Sequence, residues 1–343
     1  MPATRCLALL LCAACGAATA AEEFRNTYPH DPKASFWLWK WEQMRVGVPP
    51  APPGGWKIAQ VRTDAAALRR NASQPTLTWI GHASFLLQLG GVNVLVDPQF
   101  SARASPVQFA GPKRNAPLPI DIDELPRIDV VLTSHNHYDH LDADTMRRLA
   151  GLPSGPPLFL VPLGLKEWFA GLGIARVEEY AWWQSRDALG VRFTLAPVQH
   201  WSKRTLWDAN RTLWGGWAIE GGGLKVVHTG DLGYSRDVRD IGERLGPFDL
   251  ALIPIGAYAP RWFMRTMHVD VAEALKVRTD LRATRAVGMH WGTFEDLTDE
   301  PLDEPPAELA RLRAAAGLAP EVFDVMKIGE TRSIVPMTTG GRP

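Results

Sequence analysis

"TSHNHYDHLD", residues 133–142, sets three histidines and two aspartates within ten positions. The spacing over 135–140 is H-x-H-x-D-H, a crowding of metal-type ligands. Residues two apart on a helix face different directions, so one helix face could not offer all four side chains to a single cavity. A tight loop leaving a strand can do so. The run before it, "IDVVLTS" (128–134), is apolar and β-branched as a buried strand requires, and "DADTMRRLA" (142–150) reads as the helix that follows. Asp142 is then a helix cap rather than a ligand, and Asn136 and Tyr138 are spacers.

The same arrangement recurs along the chain. "TLTWI" (76–80), "SFLLQL" (84–89) and "VNVLVD" (92–97) read as successive strands, with Gly90-Gly91 as a hairpin turn. "LFLVP" (158–162), "VRFTLAPV" (191–198), "WAIEG" (217–221), "LKVVHTGD" (224–231), "DLALIPI" (249–255) and "RAVGMH" (285–290) follow. A helix over 270–280 opens with Asp270 and Glu273 at capping-box spacing. Many strands with interspersed helices indicate sheets covered by helices rather than a pure β-sandwich.

"PVQHW", "HTGD" and "GMHW" each begin where a β-type run ends, so His200, Asp231 and His290 join His135, His137, Asp139 and His140 at strand ends. Loops beyond strand ends, held by a rigid scaffold, are a common place for active sites. Five of the nine histidines fall in this set. Imidazole and carboxylate without thiolate suit zinc, and also iron or manganese. Seven ligands exceed one tetrahedral ion but suit two that share a bridge. A carboxylate has two oxygens, which favours Asp231 as the bridge. Two ions about 3.5–4 Å apart can hold a shared hydroxide and stabilise charged oxygens in a displacement.

The rest of the chain sets the context. Lys and Arg number 37, as do Asp and Glu, so no basic excess marks a nucleic-acid partner. Residues 1–20 read as a secretory signal: Arg5, an apolar run too short to span a bilayer, then Ala18-Thr19-Ala20. Cys6, Cys12 and Cys15 all lie inside it, so the mature chain has no thiol and relies on its core. The expected location is exported, periplasmic or envelope-associated. Lipidation at Cys15 is the weaker reading, because Cys12 stands where such signals carry leucine. Residues 21–75 read as an arm, with "FWLWKW" at 36–41 and an extended proline run in "GVPPAPPGGW" at 47–56. The main domain is expected over 76–335.

The H-x-H-x-D-H element, with the later His, Asp and His in that order, resembles the metallo-β-lactamase superfamily. "QHWSKR", "GAYAPRWFM" and "HWGTF", among longer matches from about residue 76 to 297, resemble more narrowly the N-acylphosphatidylethanolamine-hydrolysing phospholipase D family and its bacterial members. The resemblance implies an α+β fold, a four-layer αββα sandwich with a dinuclear zinc site on one edge. It assigns His135, His137 and His200 to one zinc, Asp139, His140 and His290 to the second, and Asp231 to both. It implies a phosphodiesterase that cleaves N-acylated phosphatidylethanolamine to phosphatidate and N-acylethanolamine by means of a metal-bridging hydroxide. A phospholipid or membrane-surface substrate and a homodimer follow from the same source. The alternatives are a hydrolase of a lactone, lactam or cyclic phosphodiester on the same scaffold, or a non-catalytic zinc-binding envelope protein.

By the same resemblance His268 lies near the site, where it orients the lipid phosphate or aids proton transfer; the bland reading is a histidine beside a helix N-terminus. Asp139 and Asp231 join His268 as candidate catalytic groups. His82 and Asp97 read either as partners that orient ligands or as satisfied turn residues, and His228 as a core histidine. Lys113 and Arg114, with Lys203 and Arg204, are candidate phosphate contacts. Trp262 and Phe263, in "APRWFM" (259–264), are candidate lipid contacts. Phe36, Trp37, Trp39 and Trp41 read either as an interfacial anchor or as aromatics packed on the domain.

Overall fold

The computed structural model describes residues 23–31 and 34–335. The expected signal segment and its cysteines lie outside the described residues. In chain order the strands are β1 (Thr76–Gly81), β2 (Ser84–Leu89), β3 (Val92–Val96), β4 (Lys113–Arg114), β5 (Val130–Leu132), β6 (Leu158–Pro162), β7 (Val177–Tyr180) and β8 (Ser185–Ala188). They continue with β9 (Val191–Ala196), β10 (Gly216–Gly221), β11 (Leu224–His228), β12 (Phe248–Pro254), β13 (Ala283–Met289), β14 (Phe294–Glu295), β15 (Phe323–Val325) and β16 (Thr331–Ser333). The helices are α1 (Phe36–Val46), α2 (Ala65–Arg70), α3 (Ala143–Ala150), α4 (Lys166–Gly171), α5 (Asp237–Arg244), α6 (Arg261–Met264), α7 (Val271–Asp280) and α8 (Glu304–Ala315).

Two seven-stranded sheets result, ordered β16-β1-β2-β3-β5-β6-β7 and β15-β13-β12-β11-β10-β9-β8, with β4 and β14 as a small ribbon. Each sheet is antiparallel on one side and parallel on the other. Hairpins with two-glycine turns build the antiparallel parts: Gly90-Gly91 joins β2 to β3, and Gly222-Gly223 joins β10 to β11. All four glycines have positive φ, as a type I′ connection requires. Apart from β3 and β5, which are joined by a long loop carrying β4, the parallel strands are connected through helices, which cover the outer faces.

The period-2 pattern of the first sheet divides its residues between two cores. Leu77, Trp79, Phe85, Leu87, Val94, Val130 and Leu160 point toward the second sheet. Ile80, Leu86, Leu95, Val131, Phe159 and Val161 point outward, where Met146 and Leu149 of α3 and Phe169 of α4 cover them. On the other side Val238 and Ile241 of α5, Ala274 and Val277 of α7 and Leu309 of α8 pack on the second sheet. This is the αββα order expected. Each fully buried large apolar side chain contributes about 1.5–3 kcal/mol, so the doubly covered strands are the stable frame.

The arm differs from the extended segment expected. The proline run has no regular structure, but residues 36–46 form a helix, because Ser35 caps it and accepts from the Leu38 N–H. Asp64 likewise caps α2. The lead-in also joins the domain: Gln60 bridges Ile328, and the Val61 N–H donates to the Ile328 carbonyl at 2.8 Å. The capping box of Asp270 and Glu273 forms as expected. Asp142 occupies the N-cap position of α3, but its carboxylate accepts from Ser101 and from the Thr145 hydroxyl rather than from a helix N–H.

Candidate metal centre

β5 ends at Leu132, and the chain turns at once, with the His140 and Leu141 N–H groups donating to the His137 carbonyl at 3.1 and 2.8 Å. That turn gathers the four ligand-type side chains of 135–140. His200 follows β9, Asp231 follows β11 and His290 follows β13 directly, so one edge of the sheet pair carries all seven. Gly230 permits the approach of Asp231: its φ is +60°, and a Cβ there would lie 2.9 Å from the Gly215 carbonyl oxygen and from Ser134 Cβ. His82, Asp97 and His290 are non-glycine residues with φ of 54°, 41° and 64°. Such strain gathers at functional sites and needs support from the surroundings. Here the His290 N–H donates to the His82 carbonyl (3.1 Å), and the His82 N–H to Thr293 Oγ1 (2.7 Å).

Among the described residues the ligand-type atoms converge in four overlapping groups, two of which share no residue. His135, His137 and His200 form one, with His137 Nδ1 lying 2.9 Å from His135 Nε2 and 3.4 Å from His200 Nε2. Asp139, His140 and His290 form the other, joined by His82. Asp231 Oδ2 reaches both: it lies 3.1 Å from His140 Nε2 and from His290 Nε2, 3.8 Å from His135 Nε2 and 4.0 Å from His200 Nε2.

On His140, His135 and His200 the second ring nitrogen is tied down so that the first faces inward, whereas His137 Nε2 and His290 Nδ1 are buried without a partner. His140 Nδ1 donates to Asp97 Oδ2 (2.8 Å), and Asp97 also accepts from the Ser134 N–H and hydroxyl at 2.7 and 2.6 Å. His135 Nδ1 meets Ser134 Oγ at 2.9 Å, and His200 Nδ1 donates to the Met267 carbonyl at 3.0 Å. His82 Nε2 contacts Asp139 Oδ2 at 2.9 Å. Asp97 and His82 therefore orient ligands. His228 is a core histidine, donating to the Ala83 carbonyl and accepting from the Gly230 N–H.

The donor set fits a cation. His140 Nε2, His290 Nε2 and Asp231 Oδ1 are buried without a hydrogen-bond partner, a costly arrangement unless an ion completes it. Electrostatics agrees. Burial pulls His137 to about 3 and His135 and His200 well below the ordinary imidazole value, so all three are neutral ligands at pH 7. Burial also opposes charge on His140 and His290, but Asp231 and Asp139 override it; His140 rises well above its usual value and His290 to about 9. Against the same burial penalty, His140 above all holds Asp139 and Asp231 well below the usual carboxylate range. Without an ion, then, two imidazolium groups neutralise two buried carboxylates. Metal uptake at pH 7 is expected to release about two protons per chain, read from titration calorimetry in buffers of different ionisation enthalpy. Uptake without proton release contradicts this protonation pattern.

The other expected site residues separate. His268 is brought to the centre: its ring lies 5.3 Å from His290 and 5.4 Å from His200, and its Nδ1 is buried without a partner. Both arginines expected to meet substrate face the protein instead. Arg114 donates to the Gln99 carbonyl, the Gln99 side chain and the Ser101 carbonyl, and it stacks over Phe294; burial lowers its pKa to about 10. Arg204 Nη1 donates to the Asn136 and Leu141 carbonyls at 2.8 and 2.7 Å, while its guanidinium sits 4.0 Å from the Tyr138 ring centre. It thus clamps both ends of the ligand loop. Asn136 and Tyr138 are more than spacers: Asn136 Oδ1 accepts from the Lys203 N–H, and the Tyr138 hydroxyl donates to the Arg204 carbonyl. Lys203 is half-buried and Lys113 exposed on its ribbon. Phe263 is buried beneath Trp39, and Trp262 beside it is part-exposed. Trp201, which sequence reading passed over, lies 4.8 Å from the His137 ring; its signal was adjacency to His200.

Arg204→Lys keeps the charge but loses the fork and the ring stacking. It is expected to weaken metal binding by roughly 10–100-fold, the range for residues that orient ligands, as read by competition with a chelator. Wild-type affinity in the variant would remove the clamp from the account.

Comparison with known proteins places this centre in a family. The Beta-lactamase superfamily domain matches residues 92–291. The chain is 42% identical over 265 residues to the Caenorhabditis elegans protein named N-acyl-phosphatidylethanolamine-hydrolyzing phospholipase D 1, covering 74% of each chain. It is 40% identical over 255 residues to an uncharacterised protein of Mycobacterium tuberculosis, covering 72% of this chain and 66% of that one. Among solved structures, a metallo hydrolase from the archaeon Ignicoccus hospitalis superposes with a TM-score of 0.56 at 25% identity, over 76% of this chain and 98% of that one. The chain therefore belongs to the metallo-β-lactamase superfamily, among relatives that include the N-acylphosphatidylethanolamine-hydrolysing phospholipases D, and is a hydrolase of the metal-dependent kind.

Proposed function

We propose that the protein is a zinc-dependent phosphodiesterase of phospholipase D type. It hydrolyses N-acylphosphatidylethanolamine-like phospholipids to phosphatidate and N-acylethanolamine. The observation that carries this reading is the 42% identity over 265 residues with the nematode enzyme of that name.

His135, His137 and His200 would hold one zinc, Asp139, His140 and His290 the second, and Asp231 both. When bound, such ions supply Lewis acidity toward a phosphoryl oxygen and lower the pKa of water. The chain's own residues do the rest. Asp97 and Ser134 fix the imidazoles of His140 and His135, so that Nε2 of each faces the centre. Asp139 and Asp231 offset the positive charge gathered there. Burial lowers the His268 pKa to about 4, so its ring is neutral at pH 7 and its partner-free Nδ1 can hold or pass a proton at the departing oxygen. Export through residues 1–20 to the periplasm or envelope, and assembly as a homodimer, belong to the same proposal.

The test is turnover by the purified protein of N-acylphosphatidylethanolamine in mixed micelles, with products identified by mass spectrometry. A soluble phosphodiester, a lactone and a lactam serve as rivals. Phosphatidate and N-acylethanolamine should appear, with strong preference for the aggregated lipid. Cleavage of lactone or lactam with the phosphodiester untouched would overturn the reading.

A further inference from the structure

We propose that the protein docks on a phospholipid bilayer through the outward stripe of α1 and the loop tips beside the metal centre; the choice of a lipid partner rests on the phosphodiesterase reading. Trp37, Trp41 and Met44 stand at i, i+4 and i+7 of α1, one face of a helix. They are 80%, 52% and 79% exposed. The opposite face is fastened: Trp39 stacks on Phe263 with ring centres 4.7 Å apart, its Nε1 donates to Asp299 at 2.9 Å, and Gln43 bonds the same carboxylate. The helix is thus apolar on both faces, and the outer one has no cover among the described residues.

The other exposed apolar side chains sharpen the point. Among the described residues, the large hydrophobics more than seven-tenths exposed are Trp37, Met44, Val46, Phe109, Leu206 and Trp207. They sit on three segments: α1, the loop after β3 and the loop after ligand His200. Of these, α1 and the Leu206–Trp207 loop are both joined to the surroundings of the metal centre, and exposed apolar groups concentrated there mark an interaction surface. The Leu206–Trp207 loop is fastened to the ligand loop through Arg204 and Tyr138. Beneath α1, Trp39, Phe263, Met264 and Met267 form one apolar cluster against which Trp201 packs, and Trp201 lies 4.8 Å from His137. An apolar wall therefore runs from the exposed helix to the metal centre.

A bilayer fits this surface. Arg45 lies 5.1 Å from the ring centre of Trp41 on the exposed stripe, which puts a cation beside an indole where a headgroup phosphate would meet it. Indole and basic side chains both favour the membrane–water boundary. With 11 residues, about 16 Å, α1 is too short to span and would lie in the interfacial plane.

Flotation with vesicles of phosphatidylcholine, with and without phosphatidylglycerol and free of N-acyl lipid, tests this directly. Two variants are compared with wild type: Trp37→Ser/Trp41→Ser/Met44→Ser and Leu206→Ser/Trp207→Ser. Wild type should partition to the vesicles, more strongly with phosphatidylglycerol, and the triple variant roughly tenfold less, with a smaller loss in the double variant. Metal content and circular dichroism should match wild type, showing that the fold persists. Equal partitioning of wild type and the triple variant would overturn the proposal. So would a triple variant that turns from dimer to monomer while still binding vesicles, since the stripe would then face a second copy. Stripe-dependent flotation without phosphodiester cleavage would retain the docking surface and remove the phosphodiesterase reading. Turnover of N-acyl lipid with flotation indifferent to the stripe would do the reverse.

Discussion

Asp231→Asn is expected to lower kcat/KM by roughly a thousandfold or more, about 4 kcal/mol of transition-state stabilisation, and to lower metal content with it. Asp231 Oδ2 lies within 4.0 Å of ring nitrogens in both ligand sets, at 3.1 Å from those of His140 and His290. The amide keeps the shape but removes the negative charge and one acceptor oxygen, so it cannot balance two cations. Circular dichroism with metal analysis separates this outcome from misfolding. An Asp231→Asn protein that keeps a tenth of wild-type turnover would show that no step depends on a shared carboxylate.

Asp97 gives the second large effect, although it touches no proposed ion. It is fully buried and accepts from the Ser134 N–H, the Ser134 hydroxyl and His140 Nδ1. Asp97→Ala strands all three donors, with an expected loss of about 3 kcal/mol or more in unfolding free energy by denaturant titration. Metal affinity should fall by roughly 10–100-fold as well. Asp97→Asn separates the two effects. Its oxygen can still accept from the Ser134 N–H, which should restore much of the stability. Its amide N–H₂ then faces His140 Nδ1 and favours the tautomer with the proton on Nε2, so metal affinity should stay low. Equal recovery of stability and metal affinity would contradict a role in fixing the tautomer.

The sequence was most legible where apolar runs were bounded by turns. The strands at 84–89 and 158–162 fall where the short apolar runs placed them, and the loop of 135–140 follows its strand. The residues of β7 ("VEEY") and β8 ("SRDA") are polar because they lie at sheet edges with one neighbour, so hydrophobic patterning could not reveal them. The helix at 36–46 was hidden because apolar side chains occupy both its faces, one on Trp39 and one on Trp37, Trp41 and Met44. At the site, ligand types at strand ends were readable from spacing, whereas the partners of Arg114 and Arg204 were not. A basic residue beside an active-site phrase looks the same whether it faces substrate or a carbonyl. Both donate to carbonyls near the ligand loops, a fact that depends on long-range contacts absent from local sequence.

Native mass spectrometry of the chain and of His200→Ala and His290→Ala tests the dinuclear assignment most directly. Two ions are expected in wild type and one in each variant, because the two histidines belong to different ligand sets, with hydrolysis lost in both. A wild-type chain fully active with a single ion would contradict the account.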